Sequence, residues 1–253
     1  MRGLIKVAAA AAAALTAPGE AWAFGRSRIW LPEGVSTIAP AVDHLFYLIL
    51  WITGVAFVLV QVTLVWFLIR YRHRKGVPAG YTHGNNAAEI VWTIVPTIIL
   101  VFIALRSQTV WSQMRGTPPP HDLEVEITAE QFAWNIRYAG PDGTLNTADD
   151  VTNINQLHLP AQKTVLIHLK SKDVIHSFFV PAFRFKQDAV PGVTGRLWIN
   201  AVKPANLEIV CAELCGLGHY RMRGFLIVEP SAAFDAWMAA QITPPPAPTG
   251  QPS

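Results

Sequence analysis

Two long runs without a formal charge constrain this chain more than any other feature of its sequence. The first, Leu45–Ile69, has 25 residues, and the second, Ile90–Leu105, has 16. At about 1.5 Å per residue, the first run reaches roughly 37 Å as a helix, enough to cross a hydrocarbon core of about 30 Å. A composition of 51% hydrophobic and only 15% charged residues fits a protein that lies partly in lipid. We therefore predict a hairpin of two transmembrane helices over residues 42–113.

The connection between the two runs, residues 70–88, predicts how the hairpin is oriented. Its basic residues include Arg70, Arg72, Arg74 and Lys75. Short loops rich in Lys and Arg stay in the cytoplasm. Both termini are therefore expected on the outer side of a bacterial inner membrane. Residues 1–111 carry a net charge of +5 and residues 112–230 a net charge of −1, so nothing indicates binding to nucleic acid.

The N-terminus has the three parts of a cleaved signal peptide. Residues 1–23 begin with the basic Arg2 and Lys6, continue as an alanine-rich apolar stretch and end in Ala-Trp-Ala. The mature chain is then expected to begin near Phe24, with residues 24–41 as an N-terminal segment outside the membrane. An ordinary alanine-rich helix is the alternative.

After residue 113 the sequence changes to short runs rich in β-branched and aromatic residues, separated by turn residues. The predicted strands are Leu123–Thr128, Gln131–Tyr138, Thr164–Leu169, His176–Pro181, Arg196–Val202, Leu207–Cys211 and Gly224–Val228. Seven strands with little helix predict an antiparallel β-sandwich over residues 114–230. The polar segment 140–150 is interpreted as a hairpin turn, because it lacks the ligand spacing of a calcium loop. Residues 231–253 are predicted to form a short helix over 231–241 and a proline-rich tail.

The segment Cys211–Met222 concentrates side chains that bind metals. Its two thiols, its imidazole and its thioether belong to Cys211, Cys215, His219 and Met222, and His176 lies 35 residues before Cys211 on a predicted strand. Thiolate and imidazole suit zinc or copper, and a weak methionine ligand is typical of copper electron-transfer sites. Four interpretations remain open on these grounds: a disulfide, a structural zinc site, a single blue copper, and a two-copper centre bridged by both thiolates. The last interpretation uses every soft ligand.

This segment resembles the binuclear copper A (CuA) loop of cytochrome c oxidase subunit II. The resemblance extends to Asp173–Phe178, Lys186–Gly192 and Glu89–Pro96, and it covers residues 42 to 230. It implies a two-helix membrane anchor and an all-β, cupredoxin-like Greek-key sandwich. Such a subunit accepts electrons from cytochrome c and passes them to the haems of subunit I, where oxygen is reduced to water and protons are translocated. Subunit I, a subunit III and membrane lipid are the further implied partners.

The resemblance also implies roles for individual residues. The implied copper ligands are His176, Cys211, the backbone carbonyl of Glu213, Cys215, His219 and Met222. Both cysteines would bridge the two coppers, each histidine would bind one copper, and the carbonyl and the thioether would be weak ligands. The side chain of Glu213 would bind a magnesium ion shared with subunit I. Glu89 matches a carboxylate at the mouth of a proton-uptake channel, whereas its position alone would make it the partner of Asn86 in a helix capping box.

The sequence departs from the family's pattern where electrons are accepted. The usual Gln-Trp-x-Trp motif corresponds to Gln131–Trp134, with Phe132 in place of the first Trp. Phe132 and Trp134 are the candidate residues for electron acceptance, and packing within the sandwich is the alternative role for Phe132. The chain has no Cys-x-x-Cys-His sequence, so no covalent haem is expected.

An apolar collar is predicted to keep water away from the metal centre. Its members are Ile175, Phe178, Phe179, Leu214 and Leu217. Two rival functions remain at this point. One is the CuA subunit of a nitric oxide reductase, and the other is a membrane-anchored copper-delivery or metal-binding protein.

Overall fold

Two long helices form the hairpin in the computed structural model, which describes residues 31–78, 80–81 and 83–242. Helix α1 is Ala39–Arg70 and helix α2 is Asn86–Arg115, so the helices extend slightly beyond the predicted bounds of 42–113. Both are long and apolar enough to cross a membrane. Ala39 is the one residue of α1 that is buried within the chain, and α2 has none. Apolar faces of this extent need lipid or another protein around them. The predicted signal peptide and the proline-rich tail lie outside the described residues.

The start of α2 corrects the predicted capping box. Asn85, not Asn86, is the N-cap, and its side chain accepts a hydrogen bond of 3.1 Å from the N–H of Ala88. Glu89 is therefore the fourth helical residue, one position beyond the third, where a capping-box carboxylate reaches back to the cap. Two adjacent asparagines offer the same chemistry in the sequence, and the backbone conformation decides between them.

Ten strands form two five-stranded sheets that face each other. The strands are β1 Leu123–Glu130, β2 Ala133–Tyr138, β3 Val151–Ile154, β4 Gln156–Pro160, β5 Thr164–Ser171, β6 His176–Val180, β7 Phe185–Ala189, β8 Gly195–Asn200, β9 Ala205–Cys211 and β10 Arg223–Glu229. The order in the first sheet is β3-β2-β1-β5-β8, and in the second it is β4-β10-β9-β6-β7. The predicted all-β sandwich is confirmed.

The sheets are mixed, so the expectation of a purely antiparallel sandwich was wrong. Strand β1 pairs parallel to β5, with Val125 opposite Ile167, and β10 pairs parallel to β4, with Leu226 opposite Leu157. Both pairs join strands that are distant in the sequence. Apolar alternation identifies the buried face of a strand but carries no information about its neighbour in the sheet.

Three strands were not predicted: β3, β4 and β7. The first two follow the polar 140–150 turn and are separated by Asn155, which has a φ of 59°. Because a residue in the left-handed conformation separates these two short strands, their sequence has the pattern of one irregular segment and predicts no strand. In β7, the sequence Phe-Lys-Gln-Asp-Ala exposes Lys186 and Asp188, and only its two ends are buried.

The core lies between the two sheets. It excludes water from the inner sides of β6 and β9, the strands that carry the predicted ligands His176 and Cys211. Its largest fully buried side chains are Trp134, Tyr138, Phe178, Phe183, Ile127, Ile136, Leu157, Leu159, Ile167, Leu169, Leu197 and Ile209. Helix α3, Ser231–Ile242, covers one edge of this core with Phe234 and confirms the short helix that was predicted there.

Two arginines join the sandwich to the helices. Arg184 donates hydrogen bonds to Asp43 at 2.6 and 3.0 Å and to the carbonyl of Pro32. At the end of α2, the guanidinium of Arg115 lies 4.6 Å from the ring centroid of Phe185 and donates a 2.6 Å hydrogen bond to the carbonyl of Lys186. These contacts hold the β6–β7 hairpin over the ends of both helices.

Candidate metal centre

Three neighbouring strands bring the predicted metal ligands together. Cys211 ends β9 and Met222 directly precedes β10, so the segment between them is the connection of an antiparallel pair. Strand β6 pairs with the other edge of β9, with Phe178 opposite Cys211, and His176 begins this strand. The ligands therefore stand on strand ends and on one loop, which is a rigid support for a preorganised site.

The donor atoms converge around the two cysteine sulfurs, which lie 3.9 Å apart. Nδ1 of His176 lies 3.9 Å from the sulfur of Cys211, and Nδ1 of His219 lies 3.6 Å from the sulfur of Cys215. The thioether sulfur of Met222 lies 3.7 Å from the sulfur of Cys215. On the other side, the carbonyl oxygen of Glu213 lies 3.2 Å from the sulfur of Cys211. All six donors predicted from the sequence are in one cluster.

These separations fit ligands that share a metal and exclude a disulfide in this structure. Both cysteines are free, and a separation of 3.9 Å is far from the S–S bond of about 2.05 Å. Two donors bound to one tetrahedral metal through bonds of about 2.0–2.3 Å lie about 3.3–3.8 Å apart. The sulfur–nitrogen and sulfur–sulfur distances are close to that range. Each cysteine has a histidine of its own, which suits two metals between the sulfurs better than one.

The centre is closed on its inner side. His176 is fully buried, and Cys215, Met222 and Cys211 are 4%, 2% and 9% exposed. Burial, together with the neighbouring Cys211, raises the pKa of the Cys215 thiol to about 11. Without a bound cation, a thiol of this kind stays protonated at neutral pH. The site is therefore suited to hold metal rather than to act as a free nucleophile.

Comparisons with known proteins agree with this geometry. Residues 24–110 match the family model of the cytochrome c oxidase subunit II transmembrane domain, and residues 136–229 match that of its periplasmic domain. The alternative cytochrome c oxidase subunit 2 of Bradyrhizobium diazoefficiens is 35% identical over 238 residues, which cover 85% of this chain and 84% of the relative. The chain belongs to the cytochrome c oxidase subunit II family. It is thus a membrane-anchored subunit of a haem-copper oxidase that associates with a subunit I, and the family's periplasmic domain is the one that binds CuA.

Two further relatives are also described as subunit II of a cytochrome oxidase. Cytochrome c oxidase subunit 2 of Thermostichus vulcanus is 31% identical over 261 residues, covering 82% of this chain and 77% of the relative. The solved periplasmic domain of cytochrome oxidase subunit II from Bradyrhizobium japonicum is 27% identical, with a TM-score of 0.45, over 49% of this chain and 96% of that domain.

Asp173 is a residue of the centre that was not predicted as a site residue above. Its Oδ1 lies 2.8 Å from Nε2 of His176, and its carboxylate also accepts hydrogen bonds of 2.7 Å from the N–H groups of Gln131 and Val174. Burial works to raise the pKa of Asp173, but the hydrogen bonds outweigh it, so the pKa is lowered. The carboxylate holds the proton of His176 on Nε2 and leaves Nδ1 free as a ligand. A carboxylate three residues before a metal-binding histidine is the sequence signal for this contact.

Gln131 connects the β1–β2 turn to the metal-binding loop. Its side-chain amide donates a 2.5 Å hydrogen bond to the carbonyl of Cys215. The next residue, Phe132, packs against the same loop. A Cβ atom at Gly218 would lie 2.4 Å from the ring of Phe132, so any larger residue there would displace this ring. The turn and the loop are therefore one packed unit.

The two aromatic residues of the Gln131–Trp134 segment differ in position. Phe132 is 39% exposed beside the metal-binding loop, whereas Trp134 is fully buried. The ring of Trp134 lies 6.3 Å from the ring of His176 and 5.6 Å from that of Phe178. Phe132 thus lies at the surface, where a partner can reach it, and Trp134 supports the centre from the core.

The predicted dry collar is corrected by the structure. Of its five residues, Phe178 is buried, but Leu214 and Leu217 are 77% and 96% exposed. Ile175 is also exposed, and Phe179 is half-buried. The loop side chains point outward because the inner positions of the loop are taken by the cysteines. The centre therefore has a closed inner side and an apolar outer rim that faces solvent in the isolated chain.

Two other predicted site residues lie outside the cluster. Glu213 contributes its carbonyl to the centre, but its side chain is exposed and forms no hydrogen bond or ion pair with the described residues. Glu89 lies at the far end of α2 and lines an open groove with Asn86, Ile90, Thr93 and Ile94. His176, Cys211 and Cys215 form the one group of potential metal ligands of the His, Cys, Asp or Glu type found among the described residues. The magnesium and proton-uptake roles stay predictions.

Proposed function

We propose that this chain accepts electrons from a cytochrome c and delivers them to the haems of subunit I, and that its sandwich binds two copper ions for this purpose. The observation that supports the proposal most is the pair of free thiols 3.9 Å apart, each with the Nδ1 of its own histidine within 4 Å. When bound, the copper pair supplies reversible one-electron chemistry. Family membership favours this function over the two rivals, a nitric oxide reductase subunit and a copper-delivery protein.

In this proposal the ligand side chains have distinct tasks. Cys211 and Cys215 would hold both coppers through their sulfurs, which lie 3.9 Å apart. His176 and His219 each bind one copper through Nδ1. Met222 and the carbonyl of Glu213 would be weak ligands, the thioether beside the sulfur of Cys215 and the carbonyl beside that of Cys211.

The surrounding residues limit how far the ligands move. Asp173 fixes the ring of His176, Gln131 holds the carbonyl of Cys215, and the core behind Trp134 excludes water. A site whose ligands hardly move transfers electrons with a small reorganisation energy, because the folded protein already holds the ligands in position. The exposed rim around Leu214 and Leu217 is a surface on which a donor or subunit I can pack.

We further propose where the chain lies and which additional residues act. The basic connection 70–88 lies in the cytoplasm of a bacterial cell, and the sandwich and both termini lie on the outer side of the inner membrane. Phe132 accepts electrons from the donor, the side chain of Glu213 binds magnesium at the contact with subunit I, and Glu89 takes part in proton uptake. A subunit III completes the assembly. The division of the chain is the one predicted from the sequence. It has a signal peptide over 1–23, an outer N-terminal segment over 24–41, the helix hairpin over 42–113, the sandwich over 114–230, and a short helix with a proline-rich tail over 231–253.

Purification in mild detergent tests the function. A tagged chain should bring down a haem-containing subunit I, and the preparation should consume oxygen when it is given reduced cytochrome c. The variant Cys215→Ser should retain subunit I but lose this oxidation, because a hydroxyl does not bridge two soft ions. A wild-type preparation that lacks haem, or a Cys215→Ser preparation that oxidises cytochrome c at the normal rate, would contradict the proposal.

A further inference from the structure

A groove between the two long helices lies at the level where their apolar runs end. It has a volume of about 250 Å³ and lies on the side of the sandwich. The residues that line it are Ala41, His44, Leu45, Leu48, Arg106, Thr109, Val110 and Gln113. The uncharged run of α1 begins directly after His44, and that of α2 ends directly before Arg106. Because the helices are antiparallel, these two residues mark the same boundary of the hydrocarbon layer.

Arg106 has no anionic partner among the described residues. It forms no ion pair, and the carboxylate of Asp43, the one acid of α1, is already held by two nitrogens of Arg184, at 2.6 and 3.0 Å. The only other acid of the two helices is Glu89, 17 residues away on α2 and thus about 25 Å distant. A guanidinium at the edge of the hydrocarbon layer extends toward the headgroup region, where it is available to pair with an anion.

The groove has a polar end and an apolar wall. Arg106 and Gln113 are seven residues apart, two turns along one face of α2, and His44 faces them from α1. None of these three side chains has a hydrogen-bond partner within the described part of the chain. Thr109 already donates its proton to the carbonyl of Leu105 at 3.0 Å, so the free donors belong to the other three. Leucine, valine and alanine side chains make up the remainder of the lining.

We propose that this groove binds a phospholipid of the leaflet on the side of the sandwich, with Arg106 paired to the phosphodiester of its headgroup. A guanidinium matches phosphate oxygens in a bidentate geometry, and phosphates are the abundant anions at this depth of a bilayer. Gln113 and His44 supply further donors, and the apolar wall accommodates an acyl chain. This binding site goes beyond the proposed electron transfer and does not depend on copper.

Native mass spectrometry of the full chain in detergent tests the site with two probes. These are phosphatidylglycerol and a diacylglycerol with the same acyl chains but no phosphate. The wild-type chain should retain one phosphatidylglycerol under activation that removes the diacylglycerol. Arg106→Gln should lower the retained fraction at least fivefold, whereas Arg74→Gln, in the connection at the opposite end of the helices, should leave it unchanged. Equal retention of both probes, or by both variants, would overturn the proposal.

A measurement on the assembled oxidase distinguishes a phospholipid from the main alternative partner of Arg106, which is a carboxylate of subunit I. After thorough delipidation, the Arg106→Gln oxidase should assemble at the wild-type yield but contain one phospholipid fewer per complex, measured as phosphorus. If the variant instead fails to assemble with subunit I while the free chain retains phosphatidylglycerol normally, the partner of Arg106 is a protein carboxylate and the lipid site is wrong.

Discussion

The carboxylate of Asp173 lies 2.8 Å from Nε2 of His176, on the side of the ring opposite to the metal centre. This contact leaves Nδ1 as the only free nitrogen, 3.9 Å from the sulfur of Cys211. The same carboxylate accepts hydrogen bonds from two backbone N–H groups, so its position is fixed from three directions. The orientation of one ligand therefore depends on a residue that touches no metal.

Removal of this carboxylate should weaken copper binding without abolishing it. We expect Asp173→Ala to lower copper affinity about 10–100-fold, the usual effect of losing a hydrogen-bond partner of a ligand histidine. Asp173→Asn, which keeps an oxygen acceptor, should cost less. Competition with a copper chelator measures the change, and Asp235→Ala, on the exposed face of α3, is the control. An affinity for Asp173→Ala equal to that of the control would show that the contact does not position His176.

Gln131 should control how firmly the metal-binding loop is held. Gln131→Glu keeps the size of the side chain but replaces the amide donor 2.5 Å from the carbonyl of Cys215 with a carboxylate oxygen. We expect a loss of about 1–3 kcal/mol in unfolding free energy, since a hydrogen bond is lost and an acceptor is left unpaired. Chelators should also remove copper faster. The matched control is Gln156→Glu at the exposed start of β4, and similar losses in both variants would refute a specific role for Gln131.

The two aromatic residues before the metal-binding loop should respond differently to truncation. We expect Phe132→Ala to slow reduction of the centre by cytochrome c at least tenfold, because its exposed ring lies beside the loop. Phe132→Trp should not impair reduction. Trp134→Ala should instead cost about 3–5 kcal/mol of stability, since it empties a fully buried position. Stopped-flow reduction at two salt concentrations and thermal unfolding measure the two effects, and reduction of Phe132→Ala at the wild-type rate would make Phe132 a packing residue only.

Glu89 is predicted to act in proton uptake, and the structure provides a control for its position at the helix end. Asn85 is the residue that caps α2, so Asn85→Ala should cost about 1 kcal/mol of stability. Glu89→Ala removes no hydrogen bond to the described residues. It should therefore slow oxygen turnover in the assembled oxidase while reduction of the copper centre and the stability stay normal. Normal turnover in Glu89→Ala, or a loss of stability equal to that of Asn85→Ala, would argue against a role in proton uptake.

The features that depend on local sequence could be predicted. The helices follow from runs without charge. The types and spacing of residues in one loop and one strand indicate a metal site, and the resemblance of that loop to the CuA loop implies the full set of six donors. Features that depend on distant contacts could not. The parallel pairing of β1 with β5 joins residues about 40 positions apart. The contacts of Asp173 and Gln131, and the outward direction of Leu214 and Leu217, likewise require the folded loop.

The proposed two-copper centre is tested most directly by metal analysis combined with electron paramagnetic resonance of the full chain purified in detergent. Cys211 and Cys215 lie 3.9 Å apart with one histidine beside each, so we expect two coppers per chain. The half-reduced form should have one unpaired electron shared equally over both nuclei, which gives a hyperfine pattern from two equivalent coppers. One copper per chain with a single-nucleus pattern, or zinc retained in preference to copper, would contradict the account.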